Sequence, residues 1–191
     1  EILACHDLYG GTKRYFNNIL QNKVTYINFK DYKLEHIEEL FINSNIKMIW
    51  IETPTNPLLE IIPFKNLGEL CKKCNKLLVV DNTFMTPVFQ NPLDNNADIV
   101  LHSISKYING HSDVIMGGLM MNNKELYDKL KYLQNSLGVI PSPFDCYMVN
   151  RSIKTLDIRM KKHHHNAIYI AKELHKHPKL YLNYKVQIVG V

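Results

Sequence analysis

Short apolar runs, each closed by polar residues and separated from the next by residues at helical spacing, leave this chain few folds to choose from. The runs Leu77-Leu78-Val79-Val80 and Ile99-Val100-Leu101 carry no polar alternation, which is the pattern of strands buried inside a sheet. Residues 24–29 alternate apolar and polar, residues 46–52 form another run, and residues 1–4 look like a first strand. Between them Leu34, Ile37, Leu40 and Phe41 repeat at helical spacing, as do Phe64, Leu67, Leu70, Cys71 and Cys74. Strand, helix and strand in succession predict an α/β fold, a mostly parallel sheet with helices over both faces. Farther along, the pattern predicts a strand over 115–121 and a helix with Leu126, Leu130, Leu133 and Leu137 on one face. A long amphipathic helix follows over 156–177, stopped by Pro178. Gly10 and Gly11 mark a turn after the first strand, with Thr12 placed to cap the next helix.

Ligands of such sheets sit at the carboxyl ends of strands, so the residues that close each run are the candidates for chemistry. Lys106 follows the run 99–101 by way of Ser103 and Ser105. An amine held there, partly shielded from water, has its pKa lowered and becomes a nucleophile toward carbonyls, the route to a Schiff base. Ser103 and Ser105 are expected on the same side of an extended backbone, where both can donate to an anion. An aldehyde together with a phosphate describes pyridoxal phosphate. Asp81 closes the run 77–80; it suits an ordinary turn, and equally a carboxylate that keeps a pyridine nitrogen protonated and the ring an electron sink.

A hydrophobic fraction of 46% over 191 residues allows a sizeable core, and no run approaches the roughly 18 apolar residues of a membrane-spanning helix. No basic start followed by a short apolar stretch marks a signal peptide, so the cytoplasm is the expected compartment. The net charge of +5 is spread over helices that also carry Glu and Asp, which argues against nucleic-acid binding. Cys71 and Cys74 lie on one helical face and read as packing rather than as a metal or redox pair. His163, His164 and His165 are successive helical residues about 100° apart, so they cannot converge on one metal ion. Asn150-Arg151-Ser152 fits a glycosylation acceptor formally, with nothing else pointing to secretion. Glu1 opens directly into Ile2-Leu3-Ala4, as though in mid-strand, and the chain is expected to be an internal piece of a longer one.

The segments VVDNTFMTPVFQNPL (79–93) and ADIVLHSISKYINGHSDVIMGGL (97–119) resemble the pyridoxal-phosphate enzymes of cysteine and methionine metabolism. WIETPTNP (50–57) and LQNSLGVIPSPFDCYMVNRSIKTLDIRM (133–160) carry the same resemblance, which runs from about residue 1 to 178. It implies a fold-type I transferase-like large domain, incomplete here: a cofactor-binding domain over 1–152 lacking its N-terminal part, then a linking helix and the start of a truncated C-terminal domain over 153–191. It implies a carbon–sulfur lyase that cleaves L-cystathionine to L-cysteine, 2-oxobutanoate and ammonia. The nearest alternatives are β-cleavage of the same substrate, its synthesis, and γ-cleavage of methionine; Gly11 stands where methionine-cleaving relatives often carry cysteine. An inactive piece, or a binding partner, is the alternative of another class.

The resemblance also assigns roles. Lys106 holds pyridoxal 5′-phosphate and moves protons, Asp81 faces the ring nitrogen, Thr83 lies near the cofactor, and Ser103 and Ser105 bind phosphate. Ser105 stands where close relatives usually have threonine and keeps the hydroxyl. Tyr9 stacks on the ring and assists the leaving group, though a half-buried tyrosine packing under a loop is the ordinary alternative. Asn56 orients the phenolic oxygen, where a lone Asn between prolines also reads as a turn. Arg14 is a candidate contact for the substrate carboxylate or a solvated helix-face residue. The implied protein is a homotetramer acting on a small sulfur amino acid, with no metal, nucleic acid or membrane partner. A partner-subunit tyrosine and arginine and a glycine-containing phosphate loop belong upstream; the arginine for the α-carboxylate and an acidic specificity residue belong downstream. Residues 180–191 resemble the family weakly.

Overall fold

The computed structural model describes residues 1–177. Its strands are β1 (Ile2–Cys5), β2 (Val24–Ile27), β3 (Met48–Glu52), β4 (Leu77–Asp81), β5 (Ile99–Ser103) and β6 (Gly117–Met120). Its helices are α1 (Gly10–Tyr15), α2 (Leu34–Asn43), α3 (Lys65–Lys73), α4 (Thr86–Phe89), α5 (Lys124–Leu137), α6 (Pro143–Ser152) and α7 (Leu156–Lys176). The strands form one sheet in the order β2-β1-β3-β4-β5-β6, with β1 to β5 parallel and β6 antiparallel to β5. The chain steps from β1 outward to β2 and then returns to the other side of β1 with β3. The carboxyl ends of β1 and β3 therefore flank a switch point, where α/β sheets open a crevice for ligands.

Consecutive residues of the central strands are buried, Leu3 and Ala4 at 0% exposure and Leu78, Val79 and Val80 at no more than 1%. Successive strand residues point to opposite faces, so both faces of the sheet are covered, as the unalternating runs predict. Ile37 and Phe41 of α2 and Leu67, Leu70 and Cys71 of α3 complete this core, with Cys74 packed at its margin. A second, smaller core joins Ile108 and Val114, after β5, to Val149 of α6 and Leu156 and Met160 of α7.

Several expectations are corrected. Thr12 does not cap α1: the helix begins two residues earlier at Gly10, and Tyr9 occupies the cap position without a side-chain bond. β2 stops at Ile27 because Asn28 starts a turn, its Oδ1 accepting from Lys30 N–H and its carbonyl from Asp31 N–H. β6 starts at Gly117, with Ile115 93% exposed outside it. Leu133 and Leu137 of the expected α5 face stand exposed. Helix α6 carries a signal that periodicity does not reveal: Ser142 Oγ accepts from Asp145 N–H and Pro143 opens the first turn. α7 ends at Lys176; Pro178 and the weakly matching tail lie outside the described residues.

Gly68 of α3 shows how tightly this layer is set. A Cβ there would lie 2.7 Å from Asn96 Cβ and 2.8 Å from Asn96 O. In an open helix Gly→Ala gains roughly 0.5–1 kcal/mol. Here the clash reverses the sign, and Gly68→Ala is expected to lower stability by about 1–3 kcal/mol, read as a drop in the urea midpoint.

Candidate functional site

Four strand ends converge on one cavity, lined by Tyr9, Glu52, Asn56, Asp81, Thr83, Phe84, Ser103 and Lys106. Parallel pairing places Glu52 directly beside Asp81, the last residues of β3 and β4. Both carboxylates are buried, at 6% and 7% exposure. Among the described residues, the six ion pairs within 4.0 Å all lie elsewhere, so neither acid has a cationic partner at that distance.

Asp81 is held by Thr83, whose N–H donates to Oδ1 at 3.0 Å and whose hydroxyl donates to the same oxygen at 2.6 Å. Burial pushes the Asp81 carboxyl above the ordinary range, and these two bonds pull it back. Thr83 Oγ1 in turn accepts from Ser103 N–H at 2.8 Å, which ties the ends of β4 and β5 together. Beneath them Asn82, fully buried, donates to Thr86 O and Gln90 O, while Gln90 donates back to Asn82 Oδ1 and to Thr53 O. The floor of the cavity is thus a closed hydrogen-bond network.

Glu52 accepts from Tyr9 N–H at 3.0 Å and so fixes the loop after β1. Burial pushes its carboxyl up to about 7, with the neighbouring Asp81 charge adding to the rise and the Tyr9 and Asn56 N–H groups opposing it. Cys5, just behind, is pushed up to about 12, chiefly by burial, which keeps the thiol protonated and unreactive.

The expected site residues divide between two neighbouring cavities. Tyr9, Asn56, Asp81, Thr83, Ser103 and Lys106 meet in the first. Lys106 and Asn56 also line the second, with Ser105, Tyr107, Ile115 and His163 among its other walls. The backbone does not stay extended after Ser103: Lys106 N–H donates to Ser103 O and the chain turns through 104–109. Ser105 therefore parts from Ser103, and its hydroxyl is engaged by the Met116 backbone, accepting from N–H at 2.9 Å and donating to the carbonyl at 3.3 Å. The same turn lifts Lys106 to the rim, where it is exposed rather than shielded. Arg14 stands exposed on α1 and lines neither cavity. His163 packs on Tyr107 and His164 on Phe89, two different rings. A separate depression lined by Asn17, Asn18, Gln21, Asn22 and Val24 holds neither a titratable nor a nucleophilic side chain.

Glu52 and Phe84 belong to the site but were not singled out in the sequence. The signal for Glu52 was present: it closes Met48-Ile49-Trp50-Ile51 as Asp81 closes the next buried run.

A buried carboxylate with no cation within 4.0 Å among the described residues, an amine at the rim, a hydroxyl and an aromatic ring meet in one cavity. The fold and this cavity define an α/β domain with a ligand crevice at its strand ends. The family model of the Cys/Met metabolism PLP-dependent enzymes matches residues 1–187, and the chain belongs to that family. It is 50% identical over 181 residues to cystathionine gamma-lyase of Dictyostelium discoideum, covering 94% of this chain and 46% of that one. It superposes on cystathionine gamma-lyase from Lactobacillus plantarum, solved with L-serine, at TM-score 0.87 and 39% identity over 93% of this chain and 46% of that one. Cystathionine gamma synthase from Xanthomonas oryzae pv. oryzae, solved with cystathionine, gives 0.86 and 40% over the same shares. The chain spans about half the length of the relatives it matches.

Because the folded protein holds the Glu52 proton more tightly than the unfolded chain does, the associated stability is full below pH 4.5 and is lost as pH rises through about 7. Raising pH from about 5 to about 8 is expected to destabilise the cofactor-free protein by about 2–3 kcal/mol more than its Glu52→Gln variant, measured by urea unfolding. An equal loss in both would remove Glu52 as the source.

Proposed function

We propose that the complete protein is a pyridoxal-phosphate-dependent carbon–sulfur lyase that splits L-cystathionine into L-cysteine, 2-oxobutanoate and ammonia. The observation that carries this reading is a single cavity in which an amine, Lys106, and a buried carboxylate, Asp81, meet at the ends of adjacent strands. The lyase names among the relatives favour γ-cleavage, and the synthase solved with cystathionine supports the synthetic direction as the second reading.

When bound, pyridoxal phosphate supplies an electron sink that stabilises negative charge at the substrate α carbon. Lys106 Nζ would hold the cofactor through its aldehyde and, when free, would serve as the base and acid that moves a proton between the substrate's α and γ sides. Asp81, whose two bonds from Thr83 favour its ionised form against burial, would face the ring nitrogen and keep its proton in place. Ser103, Tyr9 and Asn56, which line the same cavity, would donate to phosphate, pack over the ring and donate to the phenolic oxygen respectively. Ser105 would reach the phosphate only by giving up its bonds to Met116, and Arg14 would meet a substrate carboxylate only outside the two cavities. Among the described residues no helix is long and apolar enough to cross a membrane. We assign the complete protein to the cytoplasm as a homotetramer, its cofactor domain ending near residue 152.

Cystathionine supplied to the complete protein is expected to yield 2-oxobutanoate; pyruvate and homocysteine would replace this reading with β-cleavage. Lys106→Ala is expected to abolish cofactor attachment and turnover together, and a borohydride-fixed adduct on another lysine would refute the assignment. Asp81→Asn is expected to keep the fold and lower kcat by about a hundredfold or more, since a neutral amide cannot hold a cationic ring nitrogen.

A further inference from the structure

We propose that Arg159 is a positioning residue for Lys106, its guanidinium fixing from α7 the turn that carries the amine. The inference rests on the reading of Lys106 as the cofactor-binding amine. After β5 the turn is tied within itself by Asn109 N–H to Ile104 O at 2.9 Å and Gly110 N–H to Lys106 O at 2.7 Å. The two carbonyls directly after Lys106 are taken by Arg159: Nη1 donates to Tyr107 O at 2.6 Å, and Nη2 to Ile108 O at 3.1 Å. Nη2 also donates to Ser152 O at 3.1 Å and Nε to Thr155 Oγ1 at 3.0 Å, which locks the guanidinium plane from its own side.

The fork geometry is what allows one side chain to hold four acceptors in two segments about fifty residues apart in sequence. Gly110 makes the approach possible. Its φ is +75°, and a Cβ on it would lie 2.3 Å from Arg159 Nη1. Beside this polar clamp, Ile108 packs with Leu156 and Met160, and His163 lies against Tyr107 with ring centroids 5.2 Å apart. Those apolar contacts keep α7 docked when the guanidinium is removed, so the loss falls on the aim of the turn rather than on the fold.

The test separates aim from binding, in the complete protein freed of cofactor. Attachment condenses the Lys106 amine with the aldehyde of added pyridoxal phosphate, one water leaving, and is timed by borohydride quenching and mass measurement of the adduct. Reversible binding is read with 4′-deoxypyridoxine phosphate, which has no aldehyde. Arg159→Ala is expected to slow attachment about a hundredfold while changing analogue affinity less than about threefold, with Arg159→Lys in between because one nitrogen cannot span the four acceptors. Unfolding midpoints are measured beside them; should Arg159→Ala not fold, Arg159→Lys carries the same comparison. Attachment at the parent rate, or an equal loss of attachment and analogue affinity, would overturn the proposal. A parent protein that forms no adduct at Lys106 would overturn the reading of the site and this inference together.

Discussion

Parallel register between β3, β4 and β5 decides where chemistry can occur in this molecule. Glu52 pairs with Asp81, so β3 and β4 end at one level, while Asp81 pairs with Leu101 and β5 runs two residues further, to Ser103. A slip of one residue in β4 would turn Asp81 to the opposite face of the sheet and carry every core residue of that strand with it. Leu78 and Val80 are fully buried, and each such side chain contributes roughly 1.5–3 kcal/mol by leaving water. Apolar burial therefore enforces a placement that the carboxylates alone would resist, since like charges directly opposite on neighbouring strands repel.

The same dependence explains what could be read from the sequence. Leu77-Leu78-Val79-Val80-Asp81 announces both its strand and the carboxylate that reaches the cavity, because a run buried on both faces stops where a charge appears. The turn after Ser103 could not be read in this way. Its shape depends on Arg159, some fifty residues later, and on Ser105 bonding the backbone of Met116, contacts that no local period encodes. Reading 103–105 as extended consequently put two hydroxyls together that the structure separates. Thr12 illustrates a different limit: a residue able to cap a helix is also able to sit inside one, and the two glycines before it let α1 start early.

Two kinds of support thus meet at Lys106. The main core, continuous through β1, β3 and β4, fixes the acids at the cavity floor. The amine is carried instead by a turn resting on the smaller core of Ile108, Val114, Val149, Leu156 and Met160. Under the proposed roles, an amine that holds a ligand, releases it and moves a proton would gain from standing on a turn, and a carboxylate that holds one ring nitrogen would gain from a rigid strand end. The division between floor and rim agrees with those proposed duties.

Burial of Asp81 gives that division its energetic sense. An uncompensated buried charge costs on the order of 3–5 kcal/mol, and the two bonds from Thr83 offset only part of it. Protonating the acid would remove the cost, and Thr83 opposes this by favouring the ionised form against burial. A cationic ring nitrogen placed beside Asp81 recovers the remainder, and about 3 kcal/mol recovered corresponds to roughly a hundredfold in affinity. Glu52 stands at the same level, its carboxyl pushed up to about 7 by burial and by the neighbouring Asp81 charge. A positive charge placed at these strand ends would relieve the unpaired carboxylate, so the same burial that costs stability would favour a cationic group beside Asp81.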